Sequence, residues 1–556
     1  MSQKIKKNLI ILIGVLISIF ISTVIWDKIL LDFKNPGNVI GVYSDNFFNK
    51  NNNLVRYLFF TLFPIFTFLM LTKITWKDKV NKLSNIYVLD HPRYNHDKKL
   101  FGLLIIIIIF SFINFILSDF PLHKIDILHE GLALGNGYNS KITKSFWINT
   151  FTQNSFFSDF INPRIAWFLH GYETIGAYRF NHIFLRLITE IFLIIFIYEY
   201  IKILNFKKNL KIIGFLILGL LSIYLNQKLT ESFYPVRFRD LATFIFLIFT
   251  IKLITSENNK TIISVCVGVT GFTAVLWSLD RGIYISAALM CLLFFLFIRK
   301  DYYKFYLIFI SYIFSLIIFM FLVGYAEFSN FIRNGFYIIQ NQDLFNGLIH
   351  PTPFDFEGNT HAARGTKNLL IIIINGILIS SIIFSRQIHI SVSAKAFILF
   401  FFILAFINYK SGIARADSYH MRQSIFIHLV ILISILLILF QKILNKDLVF
   451  KKNYLFLMTV FCLFVFIYFS QIKVKNFKRF VQYQKDYVNY ISLEDKVFLS
   501  EEYIKLISRL KNYNLSCVQV FSYDAVLTYL LKKNSCTKFN YIYILSSENL
   551  QNIFIT

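Results

Sequence analysis

Between Phe101 and Leu117 the chain reads FGLLIIIIIFSFINFIL, seventeen residues without a charge. At 1.5 Å of rise per residue, roughly twenty such residues make a helix that crosses the ~30 Å hydrocarbon layer of a bilayer. Comparable runs recur at about 8–26, 55–72, 100–118, 181–201, 210–225, 240–254, 261–277, 283–298, 304–324, 368–385, 396–408, 424–441 and 454–470. Lipid offers no partner for backbone N–H and C=O groups, so repeated single spans of this kind fold as helices. The expected fold class is an all-α polytopic membrane protein of about 13 transmembrane helices. Composition agrees: 56% of residues are hydrophobic and 16% charged, where soluble domains carry about a quarter charged.

The net charge of +26 does not point to nucleic acid. Its lysines flank the apolar runs rather than forming one basic face, which makes lipid headgroups the expected partner. Basic residues also set orientation, because they collect on the cytoplasmic side. Lys4, Lys6 and Lys7 precede the first run, and KITWKDKVNK, KILNFKKNLK, FIRKDYYK and QKILNKDLVFKK fall on the same side as the N-terminus. The first run is too long for a signal peptide and has no small-residue cleavage site after it, so it reads as an anchor. The expectation is a cytoplasmic N-terminus, an extracytoplasmic C-terminus and a multi-pass position in a bacterial cytoplasmic (inner) membrane. Residues 1–99 form a leading pair of spans with their loop. Residues 100–470 form the core with an outer loop at 119–180, and 471–556 form a small extracytoplasmic domain.

The polar groups of a transporter are usually spread through its spans. Here they gather in outward segments at about 119–180, 325–367 and after 471. The first contains DILHEGLAL, in which Asp126 and Glu130 stand four apart and share a helix face, with His129 beside them. Two readings stay open. Either Asp126 and Glu130 supply a general base for an acceptor hydroxyl, with or without a divalent cation such as Mg or Mn on Asp126, His129 and Glu130, or they are solvated loop carboxylates. His129 can orient a carboxylate or bind a metal. Asp159 is a further acidic candidate. The outward arginines Arg164, Arg179, Arg237, Arg239, Arg281, Arg364, Arg415 and Arg422 have the planar fork that fits phosphate oxygens, against an alternative role as headgroup anchors. In NHIFLRLITEIFLI, Arg186 and Glu190 are placed to pair along one helix face.

The order of these motifs resembles the GT-C glycosyltransferases, polytopic enzymes that use lipid-phosphate sugars. The likeness is to bacterial members with an Asp-x-x-His-Glu-Gly outer loop, which resemble the protein mannosyltransferases and the aminoarabinose transferase. Asp126, His129, Glu130 and Gly131 match that loop. FSDFINPRIAWFLHG carries Asp159, Asn162, Pro163, Arg164, His170 and Gly171 where relatives have a second acidic position and a proline segment. GYETIGAYRF, SLDRGIYIS and GIARADSYHMRQS follow in matching order. Two features depart from the pattern: the acidic loop follows the third span rather than the first, and no Pro-Pro pair is present. The resemblance implies an inverting transferase that moves a sugar from a polyprenyl-phosphate donor to a glycan, lipid or protein acceptor at the outer face. The competing class is a lipid-linked oligosaccharide polymerase or flippase. The tail resembles the small α/β outer domain of such enzymes, shortened at its end.

Cys517 and Cys536 lie nineteen apart in the outward tail and can pair if that side is oxidising. Cys266, Cys291 and Cys462 sit in apolar runs as packing residues. No glycine-rich phosphate loop is present.

Overall fold

The structure is a computed structural model, describing residues 3–75, 97–152, 155–204, 206–228, 236–255, 260–357, 361–384, 390–444, 477–513, 515–542 and 545–555. Its long helices are α1 (Gln3–Trp26), α2 (Asn52–Thr75) and α3 (Lys98–Leu117), then α4 (His129–Thr143) and α5 (Asn162–His170) within the loop. The core continues with α6 (Ile175–Ile203), α7 (Lys208–Lys228), α8 (Leu241–Thr255), α9 (Lys260–Trp277), α10 (Leu279–Ile298) and α11 (Tyr302–Val323). It closes with α12 (Tyr325–Asn346), α13 (Ala362–Phe384), α14 (Val392–Asn408), α15 (Lys410–Ala414) and α16 (Ser418–Leu444). The tail holds α17 (Phe477–Ile491) and α18 (Glu501–Lys511).

Among the described residues ten helices are long and apolar enough to cross a membrane, and α7 and α8 contain shorter apolar stretches. The protein is a multi-pass helical membrane protein. Twelve of the thirteen expected runs are helices here; the run at 454–470 lies outside the described residues. Hydroxyl side chains inside the spans turn back to the preceding helical turn: Thr61 donates to the Tyr57 carbonyl, Thr250 to that of Phe246 and Ser380 to that of Gly376. This satisfies a polar group that lipid would leave unpaired. Caps set several helix starts. Asp97 accepts from the amides of Lys99 and Leu100, Thr174 from Ala177 and Ser391 from Ala394. Gly324, at φ 86°, ends α11 and turns the chain into α12, so much of the expected polar segment at 325–367 is itself a helix.

The loops and the tail pack into one cap at one end of the bundle. Ile125 N–H donates to Phe498, Phe151 N–H to Lys538 and Ile40 N–H to Ser546, at 2.8, 2.7 and 2.7 Å. The amide of Ile175 at the start of α6 donates to Asp495 at 2.8 Å. The glycines of HEGLALG explain how closely the tail approaches. A Cβ on Gly135 would stand 2.3 Å from the Ala525 carbonyl oxygen, and one on Gly131 2.8 Å from the Val526 nitrogen. Four apolar clusters result among the described residues, two of them large. One fills the bundle around Phe196, Phe246, Phe397 and Ile431; the other lies under the tail around Leu134, Tyr178, Phe498, Tyr529 and Phe539.

The tail differs from expectation. Among the described residues its apolar runs form no strands: a single parallel bridge joins Val518 to Ser535, and Leu527–Leu530 is a helical turn. Its polar groups bond instead to the loops, as when Ser535 N–H donates to the Asn139 side chain at 2.9 Å. Cys517 and Cys536 form the expected disulfide. Within the bundle, Glu190 accepts a hydrogen bond from Ser111 of α3 at 3.0 Å, tying α3 to α6.

Candidate functional site

The loop opens α4 with a cap built from its own side chains. One Asp126 oxygen accepts from the amides of Leu128 and His129 at 3.1 and 2.9 Å. The other lies 2.9 Å from His129 Nδ1. Burial alone would raise this carboxyl, but the hydrogen bonds from the His129 ring and amide outweigh it and hold Asp126 below its usual range. Asp126 is thereby placed to orient the imidazole.

Glu130 corrects the sequence expectation more sharply. Arg179 Nε and Nη2 donate to its two oxygens, both at 2.8 Å, in a bidentate pair. Glu130 is 3% exposed and Arg179 fully buried. The other Arg179 N–H groups reach the carbonyls of His123, Pro121 and Lys124, and the guanidinium lies 4.9 Å from the Phe498 ring centroid. Glu130 also accepts the Asp126 amide at 2.9 Å. Both charges are consumed in fastening loop, α6 and tail together. In this arrangement Glu130 and Arg179 are each other's charge partner.

The same geometry bears on the metal reading. Asp126 and His129 bond to each other while Glu130 faces a guanidinium, so these three groups do not converge as ligands. Among the described residues no three His, Cys, Asp or Glu side chains gather in a metal-holding group.

Asp159 sits on a π-helical turn, Phe157–Ile161, immediately before α5; such turns often re-aim side chains at functional sites. It is 1% exposed and accepts from Ser158 Oγ at 3.2 Å. Phe157 of the same turn stacks on Trp277 at 3.7 Å, bringing the turn to the α9–α10 junction. The Tyr178 hydroxyl lies in the combined field of Glu130, Asp159, Arg179 and Arg239. Beyond it, Arg239 approaches Asp280 at 3.9 Å, and Arg281 bonds to Asp240 at 2.8 Å, to Asp280 at 3.5 Å and to Asn408 at 3.2 Å. Arg239 and Arg281 are thus balanced by two aspartates. Arg164 stands apart: it is half-buried over the Phe146 ring at 5.4 Å, and burial lowers its guanidinium from its usual range. The Arg237 side chain lies outside the described residues.

A second cluster forms where α13, α15 and α16 meet the cap. Asp417 repeats the Asp126 geometry one residue before α16. One oxygen accepts from the amides of Tyr419 and His420, both at 2.9 Å, and the other lies 2.7 Å from His420 Nδ1. Burial opposes ionisation, but the His420 contacts again prevail and Asp417 is held below the usual carboxylate range. Arg415 approaches Asp417 at 4.0 Å. Arg364 donates to the Ser418 carbonyl at 3.2 Å, and Arg364 and Arg422 lie in each other's repulsive field. Among the described residues neither Arg364 nor Arg422 has an ion-pair partner. Arg415 thus faces a carboxylate, while Arg364 and Arg422 stand near each other without one.

The two clusters are linked through α15. Asn408, the last residue of α14, touches Arg281, Ser411 of α15 donates to the Asn408 carbonyl at 3.0 Å, and Lys410 pairs with Asp343 at 2.7 Å. Of the residues picked from sequence, Asp159 and Arg239 come together with Glu130 and Arg179 around Tyr178, Arg281 joins Arg239 at Asp280, Arg415 and His420 meet at Asp417, and Arg422 lies near Arg364. The doubled Asp-x-x-His spacing at 126–129 and 417–420 was visible in the sequence and is the signal that marks the second cap. Glu327 gave no such signal. It accepts from the amides of Phe146, Trp147 and Ile148 at 2.9, 2.6 and 3.1 Å, clamping the loop to α12.

No family model and no curated protein matches the chain. Among solved structures it is similar to ArnT from Cupriavidus metallidurans bound to undecaprenyl phosphate, at a TM-score of 0.43 and 11% identity, over 79% of this chain and 86% of that one.

Proposed function

We propose that the protein is an integral membrane glycosyltransferase that moves a sugar from a polyprenyl-phosphate donor to an acceptor hydroxyl, with its capped end facing outward from a bacterial cytoplasmic membrane. The observation that carries this reading is the grouping at the cap ends of α13 and α16, where Arg364 and Arg422 repel each other without an ion-pair partner among the described residues and Arg415 lies 4.0 Å from Asp417. Grouped guanidiniums repel unless an anion joins them, and a phosphate on a lipid is an anion delivered at that depth. The reading moves the donor-phosphate role from Arg179, Arg239 and Arg281, which carboxylates already hold, to the basic cluster. Arg164 keeps a separate place on α5.

In the transfer the acceptor oxygen bonds to the anomeric carbon as the bond from that carbon to the phosphate oxygen breaks. The electron pair leaves with the phosphate, whose growing charge the arginines stabilise. The acceptor proton goes to a carboxylate-held imidazole. His420 lies within the basic cluster for this task, with Asp417 fixing Nδ1 and leaving Nε2 for the acceptor. Asp126–His129 is the rival dyad, and Asp159 is assigned to the acceptor side beside Arg239 and Tyr178.

The test is transfer of labelled sugar from polyprenyl-phosphate donors in membranes carrying Arg415→Gln, Arg422→Gln or Arg281→Gln. Loss in the first two, with a rise in donor KM, is expected. Wild-type rates in both Arg415→Gln and Arg422→Gln would sink the phosphate assignment.

A further inference from the structure

Helices α13 and α16 are joined by polar rungs that continue from the basic cluster into the bundle. Arg364 donates to the Ser418 carbonyl at 3.2 Å, Asn368 to that of Met421 at 2.9 Å and Asn375 to that of His428 at 2.8 Å. On α16 the matching face carries His420, Ser424 and His428, one helical turn apart. Ser424 bonds to the His420 carbonyl at 2.7 Å and to Ser411 of α15 at 2.8 Å. The Tyr409 ring stands 6.5 Å from that of His428. A polar stripe this long is unusual between two apolar spans, where ionisable groups tend to mark an aqueous path.

The stripe is also short of partners. His428 and Asn375 are both fully buried. Among the described residues neither His428 Nε2 nor Asn375 Oδ1 has a hydrogen-bond partner; the Ala405 carbonyl lies near the ring but outside good geometry. At the upper end His350, 1% exposed, spends Nδ1 on the Pro351 carbonyl at 2.9 Å while Nε2 has no partner. That nitrogen faces the first turn of α13, where a Cβ on Gly365 would lie 3.3 Å from it and 3.6 Å from Met421 Sδ. Gln423 Nε2 is likewise buried without a hydrogen-bond partner among the described residues. An unpaired buried polar atom costs about 1–3 kcal/mol, so a run of them along one seam is favourable only where a small hydrogen-bonding molecule reaches them. Water meets that need, because it bonds to two to four polar groups at once. Asn375 lies eleven residues below Arg364, about 16 Å along the helix and so near the middle of the hydrocarbon layer.

We propose that a water-filled cleft enters the bundle between α13, α15 and α16 from the basic cluster and reaches down to Asn375 and His428. It would keep His420 and the bound phosphate in proton exchange with bulk water from below as well as from the cap.

Thiol labelling tests this without any transfer assay. In a background with Cys266, Cys291 and Cys462 replaced by Ala, single substitutions Ser424→Cys, Asn375→Cys and His428→Cys are exposed to a small membrane-impermeant thiol reagent. Ile372→Cys and Ile431→Cys, on the same two helices and equally buried, serve as apolar controls, and Arg422→Cys marks the entrance. The cleft predicts that positions 424, 375 and 428 label at least tenfold faster than 372 and 431. Equal rates at polar and apolar positions would overturn it. Ser424→Cys is nearly isosteric, so this result is read even if the other variants fold poorly. Right-side-out and inverted vesicles are run in parallel. Labelling only in inverted vesicles would leave the cleft standing and reverse the orientation on which the proposed function rests.

Discussion

Asp126–His129 and Asp417–His420 have the same sequence spacing and nearly the same geometry. In each, one carboxylate oxygen accepts the amides two and three residues on, and the other holds the ring nitrogen, at 2.9 Å in the first and 2.7 Å in the second. Their surroundings differ. Next to the first lies Glu130–Arg179, a buried pair with no charge left over. Near the second, Arg415 approaches Asp417, and Arg364 and Arg422 repel each other without an ion-pair partner among the described residues. The local motif is a helix start in both places, because a carboxylate at that position satisfies orphan amides. What each imidazole can do is decided by the charges that distant helices bring to it.

The largest expected effect falls on the first region and on stability. Glu130→Gln leaves Arg179 buried without a charge partner, and removing one member of a buried pair costs about 3–5 kcal/mol. Thermal unfolding in detergent should show that loss. Transfer per folded molecule should remain near wild type, since the pair fastens the cap rather than touching substrate. A folded, stable Glu130→Gln protein without transfer would restore the carboxylate to catalysis and erase the contrast between the regions.

His420→Gln reverses the pattern. The protein should fold as wild type does, while transfer falls by about 10²-fold or more, the usual contribution of a positioned acid–base group. His129→Gln, assayed beside it, should fall far less. The opposite ranking would move the proton-accepting role to the loop. Arg415→Gln is expected to cost roughly 1.5–3 kcal/mol of transition-state stabilisation, the range for hydrogen bonds to a charged group. It should show in donor KM as well as kcat, and less steeply as salt is raised.

The sequence reveals these regions unevenly. Twelve apolar runs became helices because their length and composition allow little else in lipid. The Asp-x-x-His cap is written within four residues and reads directly. Glu130 looked like a base because it stands four residues from Asp126; its real partner, Arg179, is forty-nine positions away. The meeting of Arg364 with Arg422 depends in the same way on how α13 packs against α16. The tail misled for a related reason. Val518–Val520 and Phe539–Tyr541 have strand-like composition, yet their polar groups bond to loop residues such as Asn139 that the tail alone does not contain.

The smallest effect concerns acid. Asp126 and Asp417 both have carboxyls depressed from 3.8, since the histidine hydrogen bonds outweigh burial. A depressed carboxyl contributes stability that is complete above its unfolded value and lost as pH falls through its folded value. Both caps are therefore intact at neutral pH and weaken only below about pH 4. Asp126 is partly exposed, so solvent screens its share and the change should be slight. Asp126→Asn should flatten the acid limb of the stability profile without moving its neutral plateau by more than a cap's worth, about 1 kcal/mol. Asp417→Asn should flatten it similarly and, unlike Asp126→Asn, reduce transfer at pH 7, because there the same carboxylate also orients the imidazole that faces the arginines. Equal transfer in the two variants would mean that the charges around the second cap make no difference to what its histidine does.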